Sequence, residues 1–289
     1  MKVPKIHAAT VSLALVGAAS LTAIGVAAPA QSAAATPPVA VTISAKRVVT
    51  MPTVIQPGVN TFSVTSAAKK GSAFQLVRPA AGYTPAEAAR DIEKGLDGNN
   101  IKALKRFEAN ITLLGGMQAD DTADILVVDL DLGSYWAVDT NTNDAAKFFA
   151  FTVDGVDTGN VMPQADARIK ARLDTSWARK PASIPHKGLM QFTNAATNNH
   201  FIIMAKLKKG MTYADFKTWV KSIQSGPGGP PPVNFDIGID SGVLSPGYSA
   251  EFRYNLPKGK YVMLCFWPDA SMGGMPHVFM GMHRVITLK

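Results

Sequence analysis

Two stretches of this chain carry the same pattern in the same order, about 126–130 positions apart. Phe62-Ser-Val-Thr-Ser matches Phe192-Thr-Asn-Ala-Ala, and Phe74-Gln-Leu-Val-Arg78 lies over Ile202-Ile-Met-Ala-Lys206. Gly82-Tyr-Thr84-Pro-Ala-Glu87 lies over Gly210-Met-Thr212-Tyr-Ala-Asp215, and Leu130-Asp-Leu-Gly133-Ser-Tyr135 over Leu256-Pro-Lys-Gly259-Lys-Tyr261. A solenoid unit is only about 20–50 residues long, so this period means two copies of a whole domain. Residues 38–155 and 160–289 must therefore adopt one fold twice, with the boundary in Asp154 to Gln164.

That fold is mainly β. Val39-Ala-Val-Thr-Ile, Ile125-Leu-Val-Val and Phe148-Phe-Ala-Phe-Thr-Val are short β-rich runs between turn signals. Phe201-Ile-Ile-Met, Glu251-Phe-Arg-Tyr and Arg284-Val-Ile-Thr-Leu do the same in the second copy. One helix is expected in each copy. Thr84 and Glu87 form a capping box before Ala88 to Leu96. Thr212 and Asp215 form another before Phe216, Trp219, Val220 and Ile223, four apolar residues on one face that should pack on the sheet. The expected architecture is two tandem Greek-key β-sandwiches, each with one short inserted helix.

The N-terminus reads as an address. Lys2 and Lys5 precede the small, apolar run Val11 to Val26, then Ala28-Pro-Ala30 and Ser32-Ala-Ala34. This is the pattern of a secretory signal peptide over 1–34, with cleavage after about Ala30 to Ala34. The mature chain is expected outside the cytoplasm, secreted or in the cell envelope, with no transmembrane segment. Without Lys2 and Lys5 the net charge falls from +8 to +6, and the remaining cations are scattered. No aromatic-lined basic groove accompanies them, which argues against nucleic acid as a partner. The expected partner is a redox or envelope protein of unknown identity. A single cysteine excludes an internal disulfide and leaves one thiol in an oxidising compartment.

That thiol is Cys265. It follows Gly259-Lys-Tyr261-Val-Met263-Leu, with Pro276-His277 and Gly281-Met282 downstream and Asn199-His200 upstream. Alternation puts Tyr261, Met263, Cys265 and Trp267 on one face and Val262, Leu264 and Phe266 on the other. Both faces are apolar, so Cys265 should be buried. Two readings stand: a small buried hydrophobe, or a metal ligand.

The second copy resembles a cupredoxin of the plastocyanin and azurin type, and is similar to exported bacterial cupredoxin-like proteins whose function is not settled. The resemblance covers about 100 residues and rests on Gly259, Tyr261, Cys265, Pro276-His277, Gly281-Met282 and Asn194 before His200. It implies a copper site made of His200, Cys265, His277 and Met282, the thioether being the weak axial ligand. Met275 and Met280 add soft sulfur nearby. Two departures stand out. Eleven residues separate Cys265 from His277, more than in small blue-copper proteins, and His200 aligns only loosely with the first ligand. The first copy lacks the set: Ser72 stands for His200, and Asp139 for Cys265.

The sequence thus leads to an exported cupredoxin-like protein that binds copper for electron transfer or copper carriage. The alternative is a metal-free β-sandwich pair used for binding or structure at the cell envelope, with no cofactor. No serine elbow, His-Glu-x-x-His or phosphate loop is present, so no enzymatic activity is expected.

Overall fold

Strand alternation dominates the chain. A computed structural model describes residues 36–173 and 175–289. The expected signal segment, 1–34, lies outside the described residues. In the first copy the elements are β1 (Val39–Ile43), β2 (Val49–Thr50), β3 (Val54–Ile55), β4 (Gly58–Ser66), β5 (Ser72–Pro79), α1 (Pro85–Leu96), α2 (Ile101–Asn110), β6 (Ile111–Ala119), β7 (Asp124–Leu130), β8 (Gly133–Asp139) and β9 (Phe149–Val153). The second holds β10 (Ala167–Arg172), β11 (Ser176–Trp177), β12 (Ser183–Ile184), β13 (Lys187–Asn194), β14 (His200–Leu207), α3 (Tyr213–Ser225), β15 (Val233–Leu244), β16 (Ser249–Asn255), β17 (Gly259–Leu264), β18 (Pro268–Asp269), β19 (Met275–Pro276) and β20 (His283–Leu288).

Two large sheets form from these strands. One runs β11-β10-β13-β16-β7-β4-β1-β2, the other β12-β20-β17-β14-β15-β6-β5-β8-β9-β3. Read inward from its two ends, each sheet repeats itself. β1 lies parallel to β4 as β10 does to β13, and β3 lies parallel to β9 as β12 does to β20. The registers agree too: Val77 faces Trp136 across β5 and β8, and Ala205 faces Val262 across β14 and β17.

Smaller features recur with them. The Tyr135 hydroxyl donates to Asp131 O at 2.7 Å, and the Tyr261 hydroxyl to Pro257 O at 2.6 Å. Gly133 and Gly259 open the strands carrying these tyrosines at φ +144° and +145°. A Cβ there would sit 3.2 Å from the Arg78 side chain or 3.0 Å from that of Lys206. Glycine meets both demands, a positive φ and a close neighbour.

The copies share their sheets. β7 pairs antiparallel with β16, setting Val127 opposite Glu251, and β6 meets β15 at Leu114 and Leu244. Thr36–Lys289 is one compact unit. The two copies are thus joined edge to edge, and 154–164 is a strand-free connection between β9 and β10. The joint saves backbone groups at the meeting edges from facing each other unpaired.

Alternate residues fill the space between the sheets. Val41, Phe62, Val64 and Leu126 meet Phe74, Leu76 and Tyr135 in one copy; Phe192 and Phe252 share the core with Met204, Met263 and Ile286 in the other. Burying each such side chain contributes about 1.5–3 kcal/mol.

Both expected capping boxes form, Thr84 with Glu87 and Thr212 with Asp215. One helix per copy is corrected, however: α2 follows α1 in the first. The Asn100 side chain caps it by accepting from Ala103 N, and Ala103, Leu104 and Phe107 make its buried stripe. In α3, Phe216 and Val220 are buried. Trp219, expected on that packed face, is half-buried and donates from Nε1 to Gly229 O at 2.9 Å.

Candidate metal centre

Three segments far apart in sequence bring one side chain each to the same point. β14 supplies His200 at its first residue, opposite Leu244 of β15. The turn before it is held by Asn194, which is fully buried. The Asn194 amide donates to Asn198 O and Leu244 O, both at 2.8 Å, and its oxygen accepts from Ala196 N at 3.0 Å. Cys265 comes directly after β17, on the face that points into the sandwich with Tyr261, Met263 and Trp267. Val262 and Leu264 point the other way, toward α3. This is the division that the alternation predicts.

The eleven-residue loop is folded, not slack. β18 and β19 pair within it, Pro268 opposite Pro276 and Asp269 opposite Met275. Asp269 accepts from Ser271 N at 2.8 Å and Met272 N at 3.2 Å. The loop returns so that His277 N donates to Trp267 O at 3.0 Å. A short 3-10 turn, His277–Met280, ends at Gly281 with φ +94°, and Met282 N donates back to His277 O at 3.0 Å. The extra residues thus close a small hairpin that returns His277 beside Trp267.

Cys265 Sγ lies 3.7 Å from Nδ1 of His200 and 3.7 Å from Nδ1 of His277. The imidazole centroids are 4.5 Å apart. All three residues are 0% exposed. They are the one His/Cys/carboxylate cluster with metal-holding geometry among the described residues. A metal about 2.3 Å from sulfur and about 2.0 Å from nitrogen, at trigonal to tetrahedral angles, sets S and N roughly 3.5–3.8 Å apart. The donor set fits a soft cation.

Met282 is fully buried in the same core as Cys265. Its carbonyl accepts from Cys265 N at 3.3 Å and from Trp177 Nε1 at 3.2 Å, so its backbone is tied to the thiol strand. Met275 and Met280 are only half-buried, on β19 and the following turn. His283, next to Met282, faces away: its Nδ1 meets the Tyr213 hydroxyl at 2.8 Å beside α3.

Burial sets the protonation states. Desolvation and then repulsion from His277 push His200 down to about 3. Desolvation pushes His277 down to about 4, with Asp269 opposing. Both imidazoles are therefore neutral at pH 7, as ligands must be. Desolvation pushes the Cys265 thiol up to about 12, against backbone hydrogen bonds from Phe201 and Trp267. Nε2 of each histidine has no hydrogen bond although buried. Asp269 Oδ2 stands 3.8 Å from Nε2 of His277, the place of the carboxylate that commonly orients a metal-bound imidazole.

The first copy contributes a cover that the ligand motif does not reveal. Glu108 of α2 accepts from Trp267 Nε1 at 2.8 Å. At the equivalent place within the first copy the chemistry differs. Asp139 takes an ion pair from Arg47 at 2.6 Å, and Ser72 pairs with Ser66 at 2.8 Å. Asp139 is engaged by Arg47, Ala73 N and Asn141 N, and it joins no metal-holding cluster among the described residues.

No family model and no curated protein matches the chain. Among solved structures, it is similar to reduced auracyanin from Roseiflexus castenholzii, at 23% identity over 43% of this chain and 95% of that one, with a TM-score of 0.28. Rusticyanin matches at 16% identity over 44% of this chain and 82% of that one, TM-score 0.22. The copper nitrite reductase of Nitrosomonas europaea spans both copies, 86% of this chain and 93% of that one, at 10% identity and TM-score 0.23. The chain itself is mainly β, with two large sheets packed as a sandwich around a shared core.

Proposed function

We propose that this chain is a copper protein whose second copy holds a type-1-like centre and whose first copy is a metal-free repeat that covers it. The observation that carries the reading is the buried thiol placed 3.7 Å from two neutral imidazole nitrogens. Cys265 supplies the thiolate, His200 and His277 supply Nδ1, and Met282 is the weak axial donor. Copper held there would exchange one electron between its two common oxidation states. The role of the protein is to fix the donors. His200 is anchored through Asn194, Cys265 through the sheet, and His277 through the β18–β19 hairpin. Donors held this firmly need little rearrangement when charge changes, which suits electron transfer. Complete burial makes metal release slow, so copper carriage is the weaker use. Transfer to an envelope redox partner, outside the cytoplasm, fits the signal-like N-terminus. No helix among the described residues is long and apolar enough to cross a membrane. We assign no catalytic reaction.

The test is colour. Cu(II) added to the purified protein should give intense visible absorption from thiolate-to-copper charge transfer. Cys265→Ser should abolish it. Met282→Leu should keep it and raise the reduction potential, because the axial ligand only tunes the metal. A colourless protein without copper by elemental analysis would leave the metal-free envelope binder as the reading.

A further inference from the structure

α1 has a counterpart in α3, but α2 has none: in the second copy the 226–232 loop follows α3 instead. This extra helix of the first copy lies against the candidate metal centre. Ile101 and Glu108 are seven residues apart in α2, about two turns, and so share one face. A Cβ on Gly274, at the tip of the β18–β19 hairpin, would lie 2.7 Å from Ile101 Cδ1. At the other end of that face, Glu108 Oε1 accepts from Trp267 Nε1 at 2.8 Å. The helix thus touches the loop between Cys265 and His277 at its tip and at its root.

Glu108 reaches the other ligand segment as well. Desolvation raises its carboxyl, and hydrogen bonds from Trp267 and Asn199 oppose that. Asn199 directly precedes His200 and is buried. Its Oδ1 accepts from Ser245 Oγ at 3.0 Å, and Ser245 Oγ accepts in turn from Leu113 N of β6 at 2.9 Å. The residue before His200 is therefore held between two groups tied to the first copy. One of them, Glu108, also holds the residue two positions after Cys265. Trp267 is 5% exposed, so its indole N–H depends on that acceptor rather than on open solvent. Partners that orient metal ligands from outside weigh on metal affinity nearly as the ligands do.

We propose that Glu108 is a positioning residue for the metal centre: it ties the segment bearing His200 to the segment bearing Cys265 and so fixes the distance from thiol to imidazole. This rests on the copper reading and gives the first copy a part in building the site. The test compares Glu108→Ala, Glu108→Gln and Asn100→Ala. Asn100→Ala removes the cap of α2 without touching Trp267, so it reports what a merely structural weakening of the helix does. The copper Kd, from competition with a chelator, should rise about 10–100-fold in Glu108→Ala. Its thiolate-to-copper absorption should shift as well. Glu108→Gln keeps an acceptor for Trp267 and should recover most of both losses, while Asn100→Ala should match wild type in both. Metal-free protein gives a second readout, the rate at which dithiodipyridine labels Cys265. That rate should be about tenfold faster in Glu108→Ala, because losing a hydrogen bond to a charged acceptor eases local opening. If Glu108→Ala does not fold, Trp267→Phe removes the donor instead and should give the same losses. An unchanged Kd in a protein that colours, an unchanged labelling rate, or equal effects from Asn100→Ala would overturn the proposal. A wild type that takes up no copper would end the copper reading, and the labelling rates alone would then decide whether Glu108 holds the two segments.

Discussion

Cys265 and Asp139 hold the same place in their two copies and meet different surroundings. Asp139 is neutralised by Arg47 at 2.6 Å, whereas Cys265 faces two uncharged imidazoles. The difference has a measurable sign. With the thiol raised to about 12 and the imidazoles lowered to about 3 and 4, only the thiol is protonated near neutrality. Copper must displace that one proton, so binding weakens as pH falls. Between roughly pH 5 and 8 the apparent Kd should rise about tenfold per unit of acidification, one proton being released. Below the lowered histidine values the dependence should steepen. Competition titrations across that range check it, and a flat profile would remove Cys265 from the ligand set.

At the scale of elements, α3 closes the outer face of its sheet with two side chains, Phe216 and Val220. Phe216 fills the space between α3 and β17 on the side opposite Cys265. Phe216→Ala should therefore cost about 3–5 kcal/mol, the range for removing a buried phenyl without collapse around it. Denaturant melts measure the loss. Copper colour should survive, because the site uses the other face of β17. α2 works differently: its Glu108 reaches Trp267, so an element of the first copy packs on the loop between Cys265 and His277.

The whole molecule is held as one by the paired edges and by Gln75. The Gln75 amide donates to Gly115 O and Val243 O, both at 3.0 Å, and its oxygen accepts from Val243 N at 2.7 Å. It is 2% exposed, and its two bonds to Val243 join the first copy to the second. Gln75→Leu keeps the volume but strands Val243 N–H, at about 1–3 kcal/mol for each buried group left unpaired. The wild-type chain should melt in a single transition, with calorimetric and van 't Hoff enthalpies equal, because both sheets run through both copies. Gln75→Leu should lower the melting temperature without splitting that transition. Two resolved transitions would mean that the copies unfold separately.

What the residues alone determine is local or periodic. Alternation of period two assigns the faces of β17, and Thr-x-x-Glu and Thr-x-x-Asp start α1 and α3. The repeat of Gly133 and Tyr135 at Gly259 and Tyr261 announces one fold used twice. The thiol and imidazole candidates are legible because those groups are scarce in this chain, with one Cys and five His. Only the tertiary structure shows His200 and His277 equidistant from Cys265, because that depends on how Asn194 and the β18–β19 hairpin turn the chain. The edge pairing of β7 with β16 and the reach of Glu108 to Trp267 are equally absent from any local pattern. Each joins residues over a hundred positions apart, and packing, not propensity, sets such contacts.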